Sequence, residues 1–398
     1  MRIPNVTKAA MNIAGVRLRR VERQWRAAER VLGRVGRQAR RQQARLAQAP
    51  DLVRARVQQS CAAFERTRKR VMRFDAHVFA PYRVERRVKS ALAREASGTR
   101  PVIVGPWTSE VGYEVLYWLP FLTWAADRYA VKPERMIALS RGGTQSWYGG
   151  VADRYVEIFD LVEPAEFARH GAARRERGDQ KQMALSEFDH ELIGRAKSRL
   201  GIRDAAVWHP GLMYQLFRAF WYGDRSLDFL LRHTDFRRLR CREAAAGLSL
   251  PTEYAAVKFY TGPAVPDTGE NRALLHDLVR RVAARMPVVL LDTAWTVDEH
   301  RDYEFDHIPG VTTLRPSLDP KTNLGLQTQV IAGARRFIGT CGGLAWLAPL
   351  LGVETLAVYE DDRYLTTHLY AAKYAYRRTD AARVTTLNLK ALRAVERF

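Results

Sequence analysis

The sequence predicts an α/β protein: two Rossmann-like, doubly wound domains facing a cleft, preceded by a basic α-helical segment. Three observations predict it. Short apolar strands alternate with helical stretches from Arg100 onward, which implies parallel sheets with crossover helices. A strand in each half runs into a glycine-bearing loop. The excess positive charge is confined to the first hundred residues.

The chain has 398 residues with 47% hydrophobic side chains, enough for two cores and an additional segment. The net charge of +22 is unevenly spread: residues 1–100 hold 26 basic and 7 acidic residues, and the other 298 hold 39 and 36. The body is therefore almost neutral. Cys61, Cys241 and Cys341 are far apart and odd in number, so neither a disulfide framework nor a zinc pattern follows. No apolar run reaches the ~20 residues of a membrane span, and the N-terminus lacks the apolar core of a secretory signal. The expected location is the cytoplasm, with peripheral contact at the inner membrane face.

Residues 1–99 form the basic helical segment. Met11, Ala14, Leu18, Val21, Trp25, Ala28, Leu32, Val35 and Ala39 recur at alternating steps of three and four, a heptad seam. Pro50 interrupts the seam, and Pro81 is expected to end a second helix running toward Phe79. A helical hairpin, an anchor on an anionic membrane surface and a coiled-coil dimer all fit. Nucleic acid is not an expected partner, because no aromatic platform or recognition motif accompanies the charge.

The first α/β domain spans residues 100–250. Val102–Val104 is a strand, 105–112 a loop, Glu114–Tyr129 a helix and Met136–Leu139 a second strand. "SRGGTQSWY" follows that strand. There Arg141 is a candidate for an anionic acceptor, and Trp147 and Tyr148 for stacking on sugar rings. The second domain, 251–398, opens with strand Tyr254–Phe259. Helix Asn271–Arg285, strands "PVVLLD" and "VTTL", helix Asn323–Ala334, strand Arg336–Gly339, helix Gly343–Leu351 and strand Thr355–Tyr359 follow. In such sheets ligands sit at the carboxyl ends of strands. The 107–112 loop should thus face the 339–343 turn across a cleft.

The stretch "FIGTCGGLAWLAPLLGVETLAVY" is strand, turn, helix and strand. Unpaired amides and the helix dipole make a helix start attractive to phosphate, and glycine permits close backbone approach. Thr340, Cys341, Gly342 and Gly343 are therefore candidate donor-binding positions. Lys258, at the end of "AAVKFY", is placed to neutralise a diphosphate, and Asn323 and Gln327 to meet ribose or sugar hydroxyls.

These residues resemble a known family. "NLGLQ" followed by "FIGTCGGLAWLAPLLGV" is similar to the nucleotide-sugar domain of GT-B fold glycosyltransferases. The similarity is to bacterial envelope-polysaccharide enzymes akin to the heptosyltransferase family. "GPWTSEVGYEVLYWLPFL" looks like the N-terminal signature of the same enzymes, where a glycine and an acid precede a helix ending in "LP". The resemblance implies a metal-independent, inverting transfer of sugar from a nucleoside-diphosphate donor to a glycan or lipid-linked acceptor. It also implies a catalytic carboxylate at Glu114 or Glu110, one of which would take the proton of the attacking hydroxyl. No cofactor beyond the donor is implied and no metal is expected, although "VDEHRDYEFDH" contains Asp298, Glu299, His300, Asp302 and His307. A nucleotide-sugar epimerase on the same fold and a non-catalytic, membrane-associated assembly protein are the alternatives.

Overall fold

The computed structural model describes residues 79–178, 181–241, 245, 247–293, 300–305, 307–363 and 365–396, with scattered helical residues between 26 and 69. The heptad seam, Cys61, Asp298 and Glu299 lie outside the described residues. The chain forms two compact units, 1–87 and 88–398. Helix α1, Ala80–Ala96, runs across that division. Pro81 does not end a helix: Phe79 before it is π-helical and α1 continues through it from Ala80. Among the described residues no helix is long and apolar enough to cross a membrane.

Within 88–398 there are two parallel sheets. The first comprises β1 (Val102–Val104), β2 (Met136–Ser140), β3 (Arg154–Glu157) and β4 (Ala206–Trp208), in the order β3-β2-β1-β4. Strands β1 and β2 are buried throughout, which is why they read as unbroken apolar runs. Between them lies a continuous helix, α2. It consists of an α turn Val111–Tyr113, a π-helical turn Glu114–Trp118 and an α segment Leu119–Tyr129. Helices α3 (Pro164–Glu176) and α4 (Glu187–Leu200) follow β3. Ser186 and Asp189 form a capping box at the start of α4, and Gly201, in the left-handed region at φ 65°, ends it. Helices α5 (Pro210–Trp221) and α6 (Leu227–Leu231) follow β4.

The second sheet has six parallel strands: β5 (Ala255–Lys258), β6 (Val288–Leu290), β7 (Val311–Thr313), β8 (Arg336–Thr340), β9 (Glu354–Tyr359) and β10 (Val384–Asn388). Their order is β10-β9-β8-β5-β6-β7, the doubly wound arrangement, whose topological switch point lies between β5 and β8. Helices α7 (Gly269–Ala283), α8 (Asn323–Gly333), α9 (Gly343–Leu350), α10 (Thr366–Thr379) and α11 (Leu389–Glu396) complete the lobe. Thr268 caps α7 by accepting from the Asn271 amide. Its core joins Val257, Phe259, Leu275, Val288, Leu290, Ile338 and Val358, each worth about 1.5–3 kcal/mol when fully buried. Helix α10 and strand β10 were not anticipated. β10 is a half-exposed edge strand rich in threonine, so its apolar signal is weak.

Candidate functional site

The loop after β1 delivers an acid to the rim of the first lobe. Trp107 N donates to Leu139 O at 2.9 Å. Thr108 N donates to Gln182 Oε1 at 3.0 Å, and Gln182 Nε2 donates to Pro106 O at 3.1 Å. Arg174 donates to Thr108 Oγ1 and to its carbonyl oxygen at 3.0 and 2.9 Å. Tyr214 and Arg141 hold the Ser109 hydroxyl and carbonyl oxygens at 2.8 and 3.0 Å. With the loop clamped, Glu110 stands at the N-cap position of α2 without a side-chain capping bond, and its half-exposed carboxylate pairs with Lys181 at 2.5 Å. The Lys181 ammonium also lies 3.8 Å from the centre of the Tyr113 ring.

Glu114 occupies a different position from the one expected of a base. It is wholly buried on the π-helical turn. One carboxyl oxygen accepts from Ser140 Oγ at 2.7 Å and from the Tyr148 hydroxyl at 2.6 Å. The other has no hydrogen-bond partner. Burial pushes its pKa up to about 7 against the lowering effect of those two hydroxyls and of nearby Arg141. A carboxyl sealed in this way anchors the lobe, and of the two acids Glu110 holds the accessible position.

At the switch point of the second sheet, Thr340 Oγ1 accepts from Tyr260 N at 3.1 Å and donates to Tyr260 O at 3.2 Å. Its hydroxyl therefore staples β8 to β5 instead of pointing at a ligand. The Cys341 amide donates to Val358 O at 2.8 Å, and its buried thiol has its pKa raised by desolvation. Gly342 has φ 139°, and a methyl group there would lie 2.2 Å from the Tyr260 hydroxyl oxygen. Glycine is thus required both for backbone angle and for space. Gly343 opens α9, whose first-turn amides have no partner within the helix. Lys258, expected to face a diphosphate, donates its ammonium to Leu291 O and Asp302 Oδ2, both at 2.7 Å. A half-buried cation held by an acid at this distance braces the sheet.

The first turns of α2 and α9 meet without an open gap at their glycines. A methyl group on Gly112 would sit 3.1 Å from the Gly343 nitrogen. The expected 107–112 loop ends at Glu110, and the contact is made by the helical turns that follow the two loops. Beside it, His368 of α10 reaches the first lobe. Its ring nitrogens share hydrogen bonds with the Tyr117 hydroxyl at 2.6 Å and the Tyr113 hydroxyl at 3.4 Å. Burial and the Lys181 charge press its pKa down to about 4.

The expected acceptor residues do not line this rim. Arg141 is buried on Ser109 O and the Phe167 face. Trp147 is buried and donates to Thr328 Oγ1 at 2.9 Å, and Tyr148 is buried on Glu114. Neither ring presents a face for stacking on a sugar. Asn323 Oδ1 accepts from Gln327 Nε2, and Gln327 is buried with its own oxygen unpartnered. Both residues lie on α8, which packs against the first lobe, where Gly325 N donates to Gly142 O at 2.8 Å.

Lys181, Gln182, Arg174, Tyr113, Tyr260 and His368 were not singled out from the sequence. Lys181 and Gln182 are neighbours in the loop before α4, Arg174 lies on α3, Tyr113 on α2 inside the quoted stretch, Tyr260 after β5 and His368 on α10, so it is folding that gathers these five segments. Among the described residues one group, Glu166, His170 and Glu191, has the proximity of metal ligands. Arg195 reaches both carboxylates there, so a cation already holds them.

No family model matches the chain, and no curated protein matches it. Solved structures similar to it include the ADP-heptose lipopolysaccharide heptosyltransferase II of E. coli. That structure is 15% identical with TM-score 0.39, over 73% of this chain and 91% of that one. A family 9 glycosyl transferase from Veillonella parvula is 14% identical with TM-score 0.41, over 76% and 89%. An E. coli heptosyltransferase with ADP is 16% identical with TM-score 0.36, over 75% and 99%.

Proposed function

We propose that this chain is a glycosyltransferase. It moves a sugar from a nucleoside-diphosphate donor to a glycan or lipid-linked acceptor in envelope polysaccharide synthesis, with inversion. The observation that carries the reading is the meeting of two helix starts. The glycine turn at the start of α9 touches the first turn of α2, whose N-cap position holds the half-exposed Glu110. The resemblance of "FIGTCGGLAWLAPLLGV" to nucleotide-sugar domains supports the same reading.

In this mechanism Glu110 takes the proton of the acceptor hydroxyl as that oxygen attacks the anomeric carbon. The bond to the diphosphate breaks on the opposite side. The charge that develops there is met by the amides and dipole of the α9 start, which are fixed before the reaction begins. Lys181 positions the carboxylate, and the Gln182 and Arg174 clamp positions the loop.

The test has two parts. A thermal-shift screen of UDP, GDP, ADP and CMP is expected to give one nucleotide that raises the melting temperature, since a ligand of the folded state alone stabilises it. Glu110→Gln should then lower transfer by about 10²–10⁴-fold while leaving that shift intact. If no nucleotide stabilises the protein, the reading fails.

A further inference from the structure

Helix α10 has one face in the protein and one in solvent. Ala371, Ala372, Ala375 and Tyr376 are buried, and His368 meets Tyr113 and Tyr117 from the same side. The opposite side exposes Tyr370, Lys373, Tyr374, Arg377 and Arg378. Tyr370 and Tyr374 are one turn apart and 59% and 41% exposed, two of the few large hydrophobic side chains so placed among the described residues. The helix sequence "TTHLYAAKYAYRRT" contains no acid, so the three cations of this face outnumber the one exposed carboxylate at its end, the C-cap Asp380.

We propose that this outer face of α10 docks on an anionic lipid bilayer. Tyrosine rings with polar tips suit the depth of lipid headgroups. Basic residues beside them are attracted by the negative surface potential. Together they make a helix that lies in the interface plane. The charge pattern favours a bilayer over a neutral partner, and the small apolar area of two tyrosines favours shallow contact over insertion. The inner face of the same helix forms part of the rim around Glu110 and Lys181, so docking would set that rim close to an acceptor carried in the membrane. Docking by this face requires no nucleotide.

The test uses the full chain with a local probe, because the basic N-terminal segment can itself bind vesicles. In a Cys61→Ser, Cys241→Ser background, Tyr374→Cys carries an environment-sensitive fluorophore; Cys341 is buried and stays unlabelled. Glu134→Cys, exposed on the other lobe, is the reference. With vesicles of phosphatidylglycerol and phosphatidylethanolamine, the label at 374 should shift to the blue and be quenched by headgroup-proximal nitroxide lipid. The label at 134 should do neither. Lys373→Gln, Arg377→Gln and Arg378→Gln should each weaken the 374 response about fivefold. Their thermal shift with nucleotide should stay that of the wild type, which separates this proposal from the transfer reading. An unchanged 374 label on sedimenting vesicles overturns the proposal, as does an equal response on pure phosphatidylcholine.

Discussion

The Gly325 amide donates to the Gly142 carbonyl oxygen at 2.8 Å, joining the two lobes backbone to backbone. The approach is close enough that a methyl group on Gly325 would lie 2.5 Å from Gly143 O. Glu157 holds the other side of this junction by accepting from the Gly142 and Gly143 amides at 3.0 and 2.8 Å. Gly325→Ala should therefore destabilise the protein by about 1–3 kcal/mol, the usual range for overpacking. Urea unfolding would show this as a lower midpoint.

Glu114 gives a stability signature that runs against most carboxylates. Its folded pKa, about 7, exceeds the ordinary value of 4.5, so the folded state binds the extra proton between those values. Its contribution is present below pH 4.5, is lost as pH rises toward 7, and is flat above. The wild type minus Glu114→Gln difference should fall over that window, by at most roughly 3 kcal/mol. A difference that does not change with pH would refute this ionisation.

His368 acts in the opposite direction. Its folded pKa, about 4, lies below the ordinary 6.5, so the unfolded chain takes up the proton first as pH falls. The wild type should lose stability from pH 6.5 down to 4. His368→Gln should lose less over the same range, as read by thermal melts at fixed pH.

Gln182 holds Thr108 N and Pro106 O and also donates to Asp189 Oδ1 at 3.2 Å. Gln182→Leu leaves these buried groups without partners and should cost about 2–3 kcal/mol. If the clamp positions Glu110, transfer should also fall through kcat with KM for the donor little changed. A KM effect alone would place the clamp's role elsewhere.

Strands β1, β2, β5, β6, β8 and β9 were legible because a parallel strand covered on both faces reads as an apolar run, whereas β3, with Arg154 exposed and Glu157 half-buried, and the three-residue β4 were not. The glycine turn before α9 was legible for a local reason: only glycine accommodates φ 139° at position 342. The choice between Glu110 and Glu114 was not. Four residues apart in sequence, they differ in that one lies at a loop end and the other on the inward side of a π-helical turn. Trp147, Tyr148 and Arg141 had the right chemistry for a binding face, yet Trp147 holds Thr328 across the lobe junction, Tyr148 holds Glu114 and Arg141 holds the Ser109 carbonyl.

The sequence by itself determined the two parallel sheets and where their glycine-bearing loops fall, since both follow from local pattern and backbone angle. Only the tertiary structure decided which carboxylate is accessible, that Lys258 and Thr340 brace the sheet, and that Gly112 meets Gly343. Those outcomes depend on which distant groups arrive within hydrogen-bond reach, and partners such as Asp302 and Lys181 lie tens of residues from the side chains they hold.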